Sequence, residues 1–81
     1  MNKREENERK FQGWNATPNG GRTYWRDRPG HHGWARYQKE CDSDENTLRF
    51  WQEIYNESNE LIEIHHKFPV DTGHRNVEEK R

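Results

Sequence analysis

The sequence predicts a mainly β protein, a small antiparallel β-meander of three to four strands preceded by a largely irregular N-terminal arm. Two observations carry that expectation. Segments Trp34–Cys41, Thr47–Asn56 and Glu60–Phe68 are rich in aromatic and β-branched residues and alternate with period two. Residues 34–70 also hold 14 of the 21 hydrophobic residues, so only that part of the chain is rich enough to build a continuous core.

Taken in order, residues 1–10 form a mixed-charge run without an apolar face, a transient helix at most, with nothing to dock it. Residues 11–33 carry the turn signals Asn19-Gly20-Gly21 and Pro29-Gly30, and between them Arg22–Arg26 reads as a short edge strand. Asp42–Asn46 is a polar loop between the first two strands of the meander. Glu57-Ser58-Asn59 closes the next hairpin, with Asn59 suited to the left-handed conformation that a three-residue loop needs. Pro69 stops the last strand, and Asp71-Thr72-Gly73 is a turn. The expected organisation is a basic arm over 1–33, a meander domain over 34–77 and a polar tail over 78–81.

With 81 residues the chain holds one domain at most, and a domain of this size buries only about 60% of its unfolded surface. Hydrophobic residues make up 26% and charged residues 36%, a balance that leans toward partial disorder, while the net charge of -1 avoids self-repulsion. Residues 1–33 carry seven Lys/Arg against four acids, and residues 34–70 carry four against eight. That distribution argues against a tight, non-specific nucleic-acid binder. Cys41 is alone, which excludes an internal disulfide and a multi-cysteine zinc site, and its acidic neighbours argue against a nucleophilic thiol. No apolar run approaches the roughly 20 residues of a membrane span, and the charged start Met1–Glu6 lacks the apolar region of a secretory signal. The expected site of action is cytoplasmic, without a membrane partner.

A three-residue loop at 57–59 sets a register in which Tyr55 faces Leu61, Glu53 faces Glu63, Trp51 faces His65 and Arg49 faces Lys67. Leu48, Phe50, Ile54, Ile62, Ile64 and Phe68 then form the core face, with Gln52 and His66 among them. Pairing Cys41 with Leu48 in the first hairpin sets Arg36 opposite Glu53 and Glu40 opposite Arg49.

The polar face in this register holds two opposed carboxylates, a histidine and several cations, framed by Trp51 and Tyr55. Two facing carboxylates raise one carboxyl pKa, which suits an acid or base near neutral pH. Metal-free RNA cleavage needs a base for the 2′-hydroxyl, an acid for the leaving 5′-oxygen and cations for the phosphorane. Glu53 or Glu63 fits the base, His65 the acid, and Lys67, Arg49 and Arg36 the charge stabilisers, with Trp51 or Tyr55 stacking a base. The competing reading is a solvated face, common on small antiparallel sheets. His65 and His66, as strand neighbours, point to opposite faces, and the spacing of His65, Asp71 and His74 matches no zinc signature, so neither a metal nor another cofactor is expected.

The stretches Phe50-Trp51-Gln52-Glu53-Ile54-Tyr55 and Leu61-Ile62-Glu63-Ile64-His65-His66-Lys67-Phe68-Pro69-Val70-Asp71-Thr72-Gly73-His74-Arg75 resemble the C-terminal toxin domains of bacterial polymorphic toxins, of the Rhs and contact-dependent-inhibition kinds. The resemblance spans roughly residues 34–77. It implies a small, metal-independent ribonuclease toxin acting on RNA and neutralised by a dedicated immunity protein. It singles out Glu53, Glu63, His65, Lys67, Asp71, His74 and Arg75, with His74 and Arg75 on the substrate side. The alternative is a non-enzymatic β module, either a binding surface built on Trp51, Tyr55 and Leu61 or a structural part of a phage or mobile element.

Overall fold

The computed structural model describes residues 2–71 and 73–76, the last three by their backbone alone. Helix α1 (Lys3–Lys10) precedes six strands, β1 (Gly13–Ala16), β2 (Arg22–Pro29), β3 (Gly33–Cys41), β4 (Thr47–Asn56), β5 (Leu61–Phe68) and β6 (Gly73–Asn76). They lie side by side in chain order, every neighbouring pair antiparallel. The protein is thus a mainly β meander, as the alternation predicts, with more strands than expected. Among the described residues, no helix is long and apolar enough to cross a membrane.

Most of the described N-terminal arm is regular, which corrects the expectation of a mostly irregular segment over 1–33. β2 pairs with β3 along its whole length, from Arg22 opposite Cys41 to Pro29 opposite Trp34. Pro29 ends the strand, where a missing N–H costs little. β1 returns onto β2 through a tight turn closed by the Thr17 N–H donating to the Gly21 carbonyl (3.1 Å), with Gly20 at φ 83°. The expected boundary at 33/34 therefore falls inside the sheet. Residues 77 and 78–81, the expected end of the domain and its tail, lie outside the described residues.

Helix α1 forms because its ends are capped. Asn2 and Glu5 exchange side chain-to-backbone hydrogen bonds, Glu5 and Glu6 occupy the first turn, and Arg9 and Lys10 occupy the last. Contrary to expectation the helix is docked, and a polar residue docks it. Asn7 is buried and donates to Glu45 Oε1 (3.1 Å) and to Cys41 Sγ (3.8 Å), while its own carbonyl accepts from Lys39 Nζ (2.8 Å). Tyr24, with 0% of its surface exposed, donates its hydroxyl to the same Glu45 oxygen (2.6 Å). Phe11 closes this end of the sheet against the Tyr24 ring, with centroids 5.7 Å apart.

The first hairpin has the expected register over most of its length, with Arg36 opposite Glu53 and Glu40 opposite Arg49. At its end a bulge sets Cys41 opposite Thr47 instead of Leu48. The second hairpin closes as expected, with the Asn56 N–H donating to the Glu60 carbonyl (3.0 Å), Asn59 at φ 64°, and Tyr55 opposite Leu61.

A bulge between Ile54 and Tyr55 then shifts β5 by one residue. Glu53 faces Ile64, Ile54 faces Glu63, Gln52 faces His65 and Trp51 faces His66, and a second shift sets Phe50 opposite Phe68. The expected Glu53–Glu63 opposition is absent. Two like charges directly across a ladder are destabilising, and one inserted residue separates them onto opposite faces. The same slip exchanges His65 with His66 and moves Ile64 off the expected core face.

The sheet consequently has two distinct faces. The helix side carries Tyr24, Lys39 and Phe50 in one row of paired residues, Arg26, Tyr37, Gln52 and His65 in the next, and Arg28, Ala35, Ile54 and Glu63 beyond it. The open side carries Trp25, Gln38, Trp51 and His66, then Asp27, Arg36, Glu53 and Ile64, then Pro29, Trp34, Tyr55 and Leu61.

Candidate functional site

Eight of the ten expected site residues are divided between the two faces. Glu63, His65 and Lys67 belong to the helix side. Glu53, Arg36, Arg49, Trp51 and Tyr55 belong to the open side. Through the β5–β6 pairing, His74 stands opposite His65 and Arg75 opposite Ile64, and their side chains lie outside the described residues. Expected base, acid and cations thus meet only in part, with Glu53, Arg36 and Arg49 removed from His65.

On the helix side the geometry centres on Tyr37. Gln52 Nε2 donates to its hydroxyl (3.1 Å). The Arg26 guanidinium lies 5.6 Å from the ring centroid, and Lys67 Nζ lies 5.4 Å from it. Both are within the range of a cation held by the π face. His65, one strand over from Gln52, places Nε2 2.6 Å from Asp71 Oδ1. The turn after β5 folds back to make this contact, and the Gly73 N–H donates to the same oxygen (2.9 Å). That N–H and then the His65 ring hold the Asp71 carboxyl below the usual carboxylate range. With Asp71 ionised and acceptor-only, Nε2 of His65 is the donor. The His65 side chain is 16% exposed while Asp71 is 66% exposed, so the acid reaches a mostly covered imidazole from the solvent edge.

Glu63 and Lys67 flank His65 along β5 and share its face. Residues two apart on a strand stand about 7 Å apart, close enough to touch one bound group. Arg26 adds a feature of its own, because its Nε is buried and has no hydrogen-bond partner. A buried guanidinium donor left unmatched is costly, so it marks a place where an acceptor belongs.

The open side is built differently. Trp34 and Tyr55 stack at 4.2 Å and 11°, and Trp34 Nε1 donates to Asn59 Oδ1 (2.8 Å). Arg36 grips Asp27 with two hydrogen bonds (2.7 and 3.0 Å) and lies 4.9 Å from the Trp25 ring and 5.4 Å from the Trp34 ring. Glu53 is fully engaged, accepting from Gln38 Nε2 (2.9 Å), Trp51 Nε1 (2.9 Å) and the Tyr55 hydroxyl (2.8 Å). Burial and the bond to Glu53 push the Tyr55 hydroxyl up to about 12. Arg49 pairs with Glu40 (2.8 Å) over the Trp51 ring. Both arginines here are paired with acids and Glu53 is held by neutral donors, so this face is an aromatic surface with no unpaired arginine.

Arg26 and Tyr37 are the functional candidates that sequence reasoning missed. Their signal is the even-numbered spacing of Arg22, Arg26 and Arg28, which becomes visible once the 22–26 strand is extended to Pro29 and laid on β3. Cys41 is buried and burial pushes its thiol up, consistent with a structural role. Comparison with protein-family models, with curated proteins and with solved structures gives no match.

Proposed function

We propose that the protein is a metal-independent ribonuclease whose reaction site lies on the helix side of the sheet, around His65. Its strongest support is the Asp71–His65 pair, a proton carrier placed on the same face as Tyr37 and two cations, Arg26 and Lys67. In this reading Glu63 takes the proton of the ribose 2′-hydroxyl, and the freed 2′-oxygen attacks the adjacent phosphorus. Lys67 and Arg26 balance the charge that gathers on the phosphorane oxygens. The bond from phosphorus to the 5′-oxygen breaks, and His65, entering the step as the imidazolium, gives the leaving oxygen the Nε2 proton that it otherwise shares with Asp71. Asp71 orients the imidazole for that donation through its contact with Nε2. The products are a 2′,3′-cyclic phosphate and a 5′-hydroxyl. Glu53 has no part in the reaction, since its oxygens already serve Gln38, Trp51 and Tyr55.

The test is cleavage of total cellular RNA in EDTA by the wild type, Glu63→Gln, His65→Ala and Glu53→Gln, each checked for folding. Discrete fragments are expected from the wild type. Loss of general acid–base help should lower the rate about 100-fold or more in Glu63→Gln and His65→Ala, while folded Glu53→Gln stays within about threefold. Intact RNA with folded wild-type protein would overturn the reading.

A second reading draws on the open side, where Trp25, Trp34, Trp51 and Tyr55 share one face. Such a surface suits a protein partner, the immunity protein of the toxin reading or the target of a module without chemistry. Trp51→Ala would then abolish partner binding and leave RNA cleavage unchanged.

A further inference from the structure

Beside the His65 patch, where α1 meets the sheet, lies a recess of about 540 Å³ lined by Lys10, Phe11, Arg26, Lys39, Thr47, Phe50 and Phe68. Three of its lining residues are cations and none is an acid. The volume is in the range of a small-ligand site. One edge is cationic, with the unmatched Arg26 Nε and with Lys39, whose Nζ also reaches Asn7. The other edge is aromatic, with Phe50 on β4 paired to Phe68 on β5, the latter 46% exposed. An anion alone would use the first edge, and an apolar ligand alone would use the second. A ligand that uses both carries a phosphate and a planar ring a few ångströms apart.

We propose that this recess binds a nucleotide, its phosphate among Lys10, Arg26 and Lys39 and its base against Phe50 and Phe68. Arg26 joins the recess to the reaction site, since its guanidinium lies 5.9 Å from the Phe11 ring and 5.6 Å from the Tyr37 ring. On the ribonuclease reading, which this proposal deepens, the occupant is the nucleotide that flanks the cleaved bond, and the recess fixes where an RNA strand crosses β4 and β5. Binding of a free nucleotide does not depend on that reading.

The test is an NMR titration of the full chain with adenosine 5′-monophosphate, adenosine and inorganic phosphate, repeated on Lys10→Gln and Phe68→Ala. Both substituted side chains are exposed, so the fold should survive. The nucleotide is expected to perturb the amides of residues 10, 26, 39, 50 and 68. Adenosine and phosphate should each bind at least about tenfold more weakly, and each substitution should weaken the nucleotide by about tenfold. Phosphate binding as well as the nucleotide, shifts confined to the open side, or variants that bind like the wild type would overturn the proposal. RNA cleavage measured in parallel separates the two claims. Nucleotide binding without cleavage removes the enzyme and keeps the recess. Cleavage with KM unchanged in Lys10→Gln and Phe68→Ala removes the recess and keeps the enzyme.

Discussion

Glu45 sits at φ 66°, a left-handed conformation disfavoured for its side chain, and accepts from Tyr24, Asn7 and Arg4. Burial raises its carboxyl pKa, but these three donors outweigh burial and leave it below the ordinary value. Glu45→Ala leaves the Tyr24 hydroxyl and the Asn7 amide without their acceptor, and should cost about 3 kcal/mol in urea unfolding at neutral pH. Because the folded pKa is depressed, the stabilisation is complete above the unfolded carboxylate value, about 4.3, and fades as pH falls through the folded value. The gap between wild type and Glu45→Ala should therefore narrow in acid, and a gap unchanged from pH 7 to pH 3 would contradict this. Tyr55 gives the alkaline counterpart. Its folded pKa is raised to about 12, so its contribution is intact below the unfolded tyrosine value, about 10, and is lost as pH rises through 12. Tyr55→Phe should flatten the decline in stability between those values, as measured by urea unfolding at stepped pH. At this scale the sequence marks its aromatic and charged residues but is silent about Glu45, which stands in a run of acids with nothing to show that it is buried.

Among the elements, β3, β4 and β5 are legible in the sequence because large side chains recurring at every second position put one face of a strand inward and would scatter around a helix. Helix α1 is not legible, since it has no apolar face and is held by polar contacts, those of the buried Asn7 and, around it, Arg4 to Glu45, Lys3 to Asn46 and Glu8 to Arg22. An eight-residue helix is too short to persist alone. Among the helix residues that make these contacts Asn7 is the buried one, so Asn7→Ala should loosen α1, read as lower hydrogen-exchange protection over residues 6–11 with the β3–β4 ladder retained. Gly33 begins β3 at φ 148°, and a Cβ there would lie 1.9 Å from the Tyr55 carbonyl oxygen. Gly33→Ala should destabilise by well over about 1 kcal/mol, seen as a lower Tm. The bulge between β4 and β5 is illegible for a different reason. Leu61-Ile62-Glu63-Ile64 reads acceptably in either register, so alternation alone does not locate the extra residue. That one residue decides the site, because it sends Glu63 and His65 to the helix side and leaves Glu53 behind.

At the scale of the whole molecule, one sheet presents a cationic face with a hydrogen-bonded histidine and an aromatic face whose arginines are paired with acids. The two halves of the chain, read by charge alone, suggest a basic arm and an acidic core. Pairing β2 with β3 instead brings arm cations Arg26 and Arg28 onto the same surface as His65, Glu63 and Lys67. Three of the four residues expected to be catalytic thus share a face, and the further cations on that face come from the arm and not from Arg36 and Arg49. The most direct measurement is the cleavage, in EDTA, of a defined RNA oligonucleotide and of the same strand with a single 2′-deoxy substitution at the cut site. We expect the RNA to be cut to a 2′,3′-cyclic phosphate and a 5′-hydroxyl and the substituted strand to survive. RNA left intact by folded protein, or both strands cut alike, would contradict a ribonuclease that works through the 2′-oxygen.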